Sequence, residues 1–151
     1  MQKIILIAGP TGSGKSEIAI RLAKKINGEI INADSMQVYK EIKILSARPE
    51  KIYNITHYLY GNISVKQNFS AGEWLKKVKL NLNKILNKKK IPVFVGGTGL
   101  YFKLLTEGIS DIPKIPDSIR AKARRLNKKL GNDKFYNLLI KLDPLVENNI
   151  K

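Results

Sequence analysis

Short apolar runs alternate with amphipathic segments along the first two thirds of the chain. The first run, Lys3 to Ala8, ends at a Gly-Pro pair, and its composition predicts a strand that is buried on both faces. The next segment begins at Gly14 and carries Ile18, Leu22 and Ile26 at intervals of four residues. This spacing predicts a helix with one apolar face, and an Asn-Gly pair supplies its stop signal.

A second strand is predicted over Glu29 to Ala33, where a short apolar run ends at Asp34. A strand, a helix and another strand in this order are the usual way to join two parallel strands. Residues 35 to 68 have mixed polarity and receive no firm assignment.

An amphipathic helix is predicted after Ser70, because Ser70 and Glu73 have the spacing of a capping box. A third buried strand, Ile91 to Val95, then leads into a glycine turn and a further apolar helix from Leu100 to about Thr106. The helix that follows Ser70 has its apolar positions at Leu75, Val78, Leu82 and Leu86.

Three strands that alternate with helices predict an α/β fold, in which a parallel sheet is flanked by helices. In such folds the loops that follow the strands collect at the carboxyl edge of the sheet, where ligands bind. The loops after Ala8, Ala33 and Val95 are therefore expected at one edge.

The composition changes after Gly108. A proline-spaced linker, residues 111 to 116, precedes helices without further strands. Asp117 is expected to cap the first of these helices, which runs to Leu130 and stops at Gly131. We therefore predict an incomplete α/β core over residues 1–112 and the truncated beginning of a helical insertion over residues 113–151.

Several classes of protein are excluded by composition. The chain has no cysteine, so disulfide scaffolds, thiolate metal sites and cysteine nucleophiles are excluded, and the single His57 cannot form a histidine metal cluster. No apolar run approaches the roughly 18 residues that span a bilayer, and the apolar run near the N-terminus is too short for a signal peptide. We expect a cytoplasmic protein without a membrane partner, and a monomer.

Charge points to a polyanion. The chain has 28 basic and 12 acidic residues and a formal net charge of +16. A codon bias toward Lys, Ile and Asn would also produce a basic protein, but residues 1 to 75 hold 10 basic and 6 acidic side chains, whereas residues 76 to 151 hold 18 and 6. A uniform codon bias would not concentrate the basic residues in one half of the chain. Nucleic acid is the partner that this asymmetry favours.

The loop after the first strand has the pattern G-x-x-x-x-G-K-[ST] between a predicted strand and a predicted helix, which is the context that a phosphate-binding loop requires. Its backbone amides surround phosphate oxygens, the lysine adds a positive charge, and the final serine can hold Mg²⁺. A glycine-rich turn without a ligand is the less favoured alternative. The residues of the loop are Gly9, Pro10, Thr11, Gly12, Ser13, Gly14, Lys15 and Ser16.

Two further loops carry candidate chemistry. Asp34 follows the second strand and could accept a proton from a nucleophile, although a role in capping a turn is equally compatible with the sequence. Thr98 lies between glycines that allow close approach of the backbone, and its hydroxyl could donate to a phosphate. A Gly-Gly-Thr-Gly turn alone is weak evidence, but the three loops together define a candidate site.

These three motifs resemble those of the tRNA dimethylallyltransferases, also called isopentenyl-diphosphate:tRNA transferases. The matching segments are GPTGSGKS (Gly9 to Ser16), INADSMQVYK (Ile31 to Lys40) and VFVGGTGLYFKLLTEG (Val93 to Gly108). The resemblance implies a P-loop NTPase-like fold and transfer of a dimethylallyl group from dimethylallyl diphosphate to the exocyclic amine of the adenosine beside the anticodon. It also implies that the phosphate loop binds the isoprenoid diphosphate with Mg²⁺ and does not drive nucleotide hydrolysis; binding of ATP to the same loop stays open.

The resemblance assigns roles to particular residues. Lys15, with a cation at Ser16, would stabilise the leaving diphosphate, and Asp34 would orient and deprotonate the attacking amine. Thr98 would contact the reacting region. Arg120 matches a position that contacts tRNA, in the most basic helix of the chain. The flipped adenosine would be held by Ser35, Met36 and Gln37.

The sequence departs from the family in two places. A segment that often reads Pro-His-His-Leu-Ile-Asp is here residues 56 to 61, Thr-His-Tyr-Leu-Tyr-Gly, so the acidic residue is absent. Family members also run to roughly twice this length, so a fragment, a truncated product and a split protein are all open, and little activity is expected of the chain alone. A small P-loop kinase and a non-catalytic RNA-binding fragment are the alternative functions.

Overall fold

The computed structural model describes residues 3–49, 54–109 and 115–146. The chain divides into two compact units, Met1–Ile109 and Ser110–Lys151. The boundary predicted between residues 112 and 113 lies outside the described residues.

The first unit is built on a four-stranded sheet in which every pair of neighbouring strands is parallel. The strands lie in the order β1-β4-β2-β3, so the predicted α/β fold is confirmed. In chain order the elements are β1 (Ile5–Ala8), α1 (Lys15–Ile26), β2 (Gly28–Asn32), β3 (His57–Tyr58), α2 (Ala71–Asn87), β4 (Ile91–Gly96) and α3 (Gly99–Glu107).

The two faces of the sheet carry separate apolar cores, because successive side chains of a strand point to opposite faces. On one face, α1 packs against Ile30, Val93 and Val95. On the other face, α2 and α3 cover Ile31 and Phe94. The sheet is therefore covered by helices on both faces at its centre. Because all its strands are parallel, the loops that follow them lie at one edge.

The burial predicted for the first strand was wrong. The strand β1 was expected to be buried on both faces, but it lies at the edge of the sheet, and Leu6 is exposed. The buried face of α1 consists of Ala19, Ile20 and Ala23, whereas Ile18 is exposed. Small alanines allow α1 to approach the sheet closely, because packing selects a face by fit as well as by hydrophobicity.

The segment that received no assignment supplies the fourth strand. β3 has only two residues and pairs with β2, and a single bridge joins Tyr39 to Ile63. Leu59, from the segment that departs from the family pattern, is buried in the core that α2 and α3 cover. A two-residue strand has too short a pattern to be recognised from sequence.

The predicted capping box of α2 is confirmed. The Ser70 hydroxyl accepts a hydrogen bond from the Glu73 amide, and the Glu73 carboxylate accepts one from the Ser70 amide. Trp74, one turn into the helix, is fully buried, stacks on Tyr101 at 3.9 Å between ring centroids, and donates to the Asn32 carbonyl at 3.0 Å. The start of α2 is thereby tied to the end of β2.

A buried carboxylate holds the amino end of the sheet. Glu29 is 1% exposed and accepts hydrogen bonds from Lys90 at 2.9 Å, from Tyr58 at 2.7 Å and from Lys88 at 3.2 Å. Burial alone would raise the pKa of Glu29, but these three donors outweigh it and lower the pKa below its usual value. The carboxylate therefore stays charged at neutral pH and joins β2, β3 and the segment that enters β4.

The second unit is helical in its described part. It contains α4 (Asp117–Leu130), α5 (Asn132–Leu142) and a short 3₁₀ turn, Pro144–Val146. The predicted cap at Asp117 was wrong, because Pro116 is the capping residue and Asp117 is the first residue of the helix. The Asp117 carboxylate still suits the positive end of the helix dipole. Within the ranges described above, no helix is long and apolar enough to cross a membrane.

Candidate functional site

The phosphate loop joins β1 to α1 as the motif predicts. Gly12 and Gly14 have φ angles of 81° and 76°, in the left-handed region that favours glycine. Gly14 ends the loop without a side-chain cap, so the positive end of the α1 dipole lies at the loop. The Lys15 ammonium group donates to the Pro10 carbonyl at 2.8 Å, which places its charge over the loop. This arrangement is suited to an anion.

Asp34 follows β2 and divides its two carboxylate oxygens between two tasks. Oδ1 accepts hydrogen bonds from the Met36 amide at 2.9 Å and from the Gln37 amide at 3.4 Å, so Asp34 does cap a turn. Among the residues that the structure describes, none donates a hydrogen bond to Oδ2. The capping role and a role as proton acceptor are therefore compatible, because they use different oxygens.

The glycine turn after β4 fits between the other two loops. The Gly9 amide donates to the Gly96 carbonyl at 3.3 Å. A Cβ built on Gly97 would lie 3.1 Å from the Gly9 carbonyl oxygen and 3.9 Å from Oδ2 of Asp34. The phosphate loop, the Asp34 turn and the glycine turn thus meet at the carboxyl edge of the sheet, where the sequence predicts that they converge.

The Thr98 hydroxyl is engaged with the Asp34 turn. It accepts a hydrogen bond from the Ser35 amide at 2.9 Å and donates to the Ser35 hydroxyl at 3.2 Å. The Thr98 amide also donates to the Ala33 carbonyl at 3.2 Å. Through these bonds the side chain of Thr98 fixes the position of the residue next to Asp34, a contact across 63 positions of sequence.

Asn32 is a site residue that the sequence analysis missed. Its amide side chain is fully buried, accepts a hydrogen bond from the Asp34 amide at 3.0 Å, and donates to the Asp34 carbonyl at 2.9 Å and the Leu59 carbonyl at 3.1 Å. A buried polar side chain costs free energy unless it is hydrogen-bonded, and every one of these bonds holds the backbone of the Asp34 turn or its neighbour. The signal that was available is an Asn at an otherwise apolar strand position.

The negative charge of Asp34 acts on two phenols, the half-buried Tyr60 and the buried Tyr101. Burial and the negative charge of Asp34 raise the pKa of Tyr60 well above its usual value. Burial, together with electrostatic interactions with Tyr39 and Asp34, raises the pKa of Tyr101 to about 12. Both phenols therefore remain neutral at physiological pH.

The remaining predicted site residues are in different environments. Met36 is 53% exposed at the tip of the Asp34 turn. The Gln37 side chain is buried, and its amide donates to the Ser46 carbonyl at 3.0 Å, so this group supports the following turn. Ser16 lies in the first turn of α1 and is half-buried. Arg120 lies on α4 of the second unit and is exposed.

The donor set near the phosphate loop suits a metal that substrate oxygens help to bind. In the described part of the chain, no group of three or more His, Cys, Asp or Glu side chains could hold a metal ion by itself. Mg²⁺ is commonly held by one or two protein oxygens together with phosphate oxygens of a substrate. The Ser16 hydroxyl in the first turn of α1 is a protein oxygen of this kind.

A parallel sheet whose first strand runs into a P-loop, with an acidic turn and a glycine turn at the same edge, defines a P-loop protein of the α/β class. A family model described as IPP transferase matches residues 37–151. The chain is 55% identical over 148 residues to a tRNA dimethylallyltransferase of Pelagibacter ubique, and 47% identical over 146 residues to one of Rhizobium etli. The chain therefore belongs to the IPP transferase family, as the motifs predict.

Solved structures agree with this assignment. A eukaryotic dimethylallyltransferase that acts on tRNA matches the whole chain with a TM-score of 0.84 and 32% identity, over 38% of its own length. A tRNA isopentenylpyrophosphate transferase of Bacillus halodurans matches with a TM-score of 0.71 and 27% identity, over 51% of its length. The P-loop NTPase-like fold implied by the motifs is thereby confirmed.

The match covers only part of each relative. It includes 97% of this chain but 47% of the Pelagibacter protein, and 95% of this chain but 49% of the Rhizobium protein. The chain thus spans about half the length of these curated relatives.

Proposed function

We propose that this protein acts in tRNA modification, as the part of a dimethylallyltransferase that binds the allylic diphosphate and activates the acceptor amine. The acceptor is the exocyclic amine of the adenosine beside the anticodon. The observation that supports this most directly is the position of Asp34. Its Oδ2 accepts no hydrogen bond from the described residues and lies beside the glycine turn, next to the phosphate loop. An anion-binding loop and a carboxylate at one sheet edge are the two groups that such a transfer needs.

The reaction replaces a carbon–oxygen bond with a carbon–nitrogen bond. The amine nitrogen attacks the first carbon of the dimethylallyl group while the bond from that carbon to the diphosphate oxygen breaks. The electron pair of this bond leaves with the diphosphate, and the extra proton of the amine passes to Oδ2 of Asp34. Asp34 thus acts as the general base, while its Oδ1 keeps the turn in place.

The leaving diphosphate gains negative charge as the carbon–oxygen bond breaks. The Lys15 ammonium group over the loop and the positive end of the α1 dipole stabilise this charge. The Ser16 hydroxyl would hold Mg²⁺ together with diphosphate oxygens, and the ion would supply further positive charge to the leaving group.

The Asp34 turn provides the contacts for the adenosine. The Ser35 amide donates to the Thr98 hydroxyl, which holds Ser35 in place. Met36, the next residue, is exposed, so an apolar side chain is available to contact the adenine ring. Gln37 stabilises the turn by donating a hydrogen bond from its side-chain amide to the Ser46 carbonyl. In this proposal Thr98 acts mainly by positioning Ser35 and, through Ser35, the turn that carries the general base Asp34.

The second unit supplies a basic surface for the anticodon stem-loop. None of the α4 residues is buried, so its cations are available to phosphates. A single acidic residue, Asp117, accompanies them in the helix. The basic residues of α4 are Arg120, Lys122, Arg124, Arg125, Lys128 and Lys129.

The proposed ligand predicts a preference in a calorimetric titration of the chain. Dimethylallyl diphosphate is expected to bind at least as tightly as ATP, both with Mg²⁺ present. Lys15→Ala should weaken binding about tenfold or more, because it removes a charge from an anion site. Lys25→Ala, at the other end of α1, is the matched control and should leave binding unchanged. Binding of ATP without binding of the allylic diphosphate would favour the kinase.

The basic surface predicts a steep salt dependence of RNA binding. Affinity of the chain for an anticodon stem-loop should fall as salt increases, and charge reversal at Arg120, Arg124 and Arg125 should reduce the slope of log K against log salt by about 2 to 3. Equal reversal at the exposed lysines 66, 76 and 84 of the first unit is the control and should change the slope less. An equal reduction of the salt slope in both variants would argue against α4 as the RNA-binding surface.

A further inference from the structure

A turn formed by residues 42–48, the 42–48 turn, lies beside the Asp34 turn. It closes on itself, because the Ser46 amide donates to the Ile42 carbonyl at 2.9 Å. The Gln37 side chain reaches this turn and donates to the Ser46 carbonyl at 3.0 Å. Gln37 also belongs to the Asp34 turn, since its backbone amide donates to Oδ1 of Asp34 at 3.4 Å. The 42–48 turn is therefore held against the segment that, in the proposed function, contacts the adenosine.

The side chain of Arg48 folds back over the chain that leaves the Asp34 turn. It is half-buried, and its Nη1 donates to the Tyr39 carbonyl at 2.8 Å. A Cβ built on Gly61 would overlap the guanidinium group, so the glycine leaves the room that this side chain occupies. The Gly61 amide in turn donates to the Gln37 carbonyl at 2.9 Å. The guanidinium group is therefore packed against the backbone that carries Gln37.

The positive charge of Arg48 has no carboxylate partner among the residues that the structure describes. The Tyr39 carbonyl uses one of its N–H donors, and no other described residue accepts a hydrogen bond from the side chain. Arginine keeps its charge at every physiological pH, and its planar fork of donors matches the oxygens of a phosphate. A half-buried guanidinium group with unused donors is suited to an anion that approaches from the solvent.

The tip of the 42–48 turn is apolar. Ile44 is 92% exposed and Leu45 is 88% exposed, the highest values among the large apolar side chains that the structure describes. Contact of two adjacent aliphatic side chains with water is unfavourable, so a partner that covers them gains free energy. Unpaired bases of an RNA loop are such a partner, because their faces stack on protein side chains. The 42–48 turn thus presents a cation and an apolar tip together.

We propose that the 42–48 turn is an RNA-contact element of the adenosine site, in addition to α4. Arg48 binds a phosphate next to the adenosine, and Ile44 and Leu45 cover an unpaired base of the same loop. This inference rests on the proposed function, because it takes the Asp34 turn as the place of the adenosine. A nucleotide that leaves its stack rotates about its own backbone, so a flanking phosphate stays close to the pocket that receives the base.

The diphosphate is a poorer partner for this turn. The phosphate loop already receives its charge, and its dimethylallyl group has to reach the amine rather than the tip of the turn. An RNA loop supplies phosphates and unpaired bases together. The net charge of +16 attracts RNA to the chain as a whole, whereas the position beside the Asp34 turn is what singles out Arg48.

The test measures the affinity of the 151-residue chain for an anticodon stem-loop over a series of salt concentrations. Arg48→Gln keeps a donor for the Tyr39 carbonyl but removes the charge. It should weaken binding about threefold to tenfold at about 0.1 M salt and reduce the slope of log K against log salt by about 1. Arg48→Lys keeps the charge and should keep the slope. A role confined to holding Tyr39 would leave the slope unchanged in both variants.

Further substitutions control for charge and test the apolar tip. Arg21→Gln removes the same charge from an exposed site on α1 and should reduce the slope by less. Leu45→Ser should weaken binding about twofold to fivefold with the slope unchanged, because it removes apolar contact and no charge. Leu80→Ser, at a 65% exposed position of α2, is its matched control and should leave the affinity unchanged.

A modified RNA identifies the phosphate. A stem-loop with uncharged methylphosphonate groups on both sides of the adenosine should bind the unmodified chain more weakly, with a slope reduced by about 1 or more. Arg48→Gln should cause no further loss with this RNA, because its partner is already absent. Arg48→Met, a second neutral variant, replaces Arg48→Gln if the latter fails to fold by circular dichroism.

The proposal would be overturned by any of four results. The first is a salt slope that Arg48→Gln reduces no more than Arg21→Gln does. The second is equal weakening by Arg48→Gln on the normal and the modified stem-loop. The third is equal affinity of Leu45→Ser and Leu80→Ser. The fourth is calorimetry in which Arg48→Gln weakens binding of dimethylallyl diphosphate while RNA binding is kept, which would assign Arg48 to the diphosphate.

Failure of the proposed function has a different signature. An unmodified chain that binds no dimethylallyl diphosphate, yet shows the salt slope that depends on Arg48, would contradict the proposed function alone. A chain that binds the diphosphate and whose RNA binding ignores Arg48 would contradict the 42–48 turn alone.

Discussion

Asp34→Asn is expected to lower the rate of dimethylallyl transfer by about two to four powers of ten, the usual cost of removing a general base. The measurement is a single-turnover assay with dimethylallyl diphosphate and tRNA, on this chain fused to the second half of the Pelagibacter protein. The side-chain oxygen of asparagine can still accept the hydrogen bonds of Met36 and Gln37, so the turn should remain. The amide that replaces Oδ2 cannot take the proton.

A second substitution separates the base from the cap. Asp34→Ala removes both oxygens, so it should slow transfer by a similar factor and also lower the free energy of unfolding by about 0.5–2 kcal/mol, the cost of losing a cap. Asp34→Asn should leave the free energy of unfolding and the affinity for the diphosphate nearly unchanged. Transfer at the unmodified rate by Asp34→Asn would remove Asp34 as the base.

Local sequence patterns predicted the elements that position the site. β4 and α2 begin within one residue of their predicted starts, and the capping box at Ser70 has the expected hydrogen bonds. These features depend on neighbouring residues, whose spacing is visible in one sequence. The convergence of the three loops followed from a general rule of parallel sheets, and the structure confirms it.

Contacts between residues far apart in the chain were not predicted from the sequence. Nothing local indicates that Thr98 accepts from the Ser35 amide, or that Glu29 is the common acceptor for Lys88 and Lys90. The open edge of β1 was also missed, because its apolar residues have the pattern of a central strand whether or not a neighbour is present. Such features depend on strand order, which apolar periodicity does not specify.

Gly96→Ala is expected to lower the free energy of unfolding by about 3 kcal/mol or more, because the added methyl group has no space. A Cβ built on Gly96 would overlap the carbonyl group of Ala33 and lie 2.7 Å from the Asp34 nitrogen. These are backbone atoms of the adjacent chain segment and cannot rotate away. Urea unfolding of the 151-residue chain, followed by circular dichroism, measures the change.

The matched control is Gly99→Ala in the same glycine turn. A Cβ there meets nothing within 4 Å, and Gly99 is the first residue of α3, so stability should be unchanged or raised by up to about 1 kcal/mol. Because the Gly96 carbonyl accepts from Gly9 and the added methyl group would displace Asp34, the folded fraction of Gly96→Ala should also bind dimethylallyl diphosphate more weakly. Equal stability of the two variants would mean that the glycine turn does not lie against the Asp34 segment, and the site would lose the contact that joins its three loops.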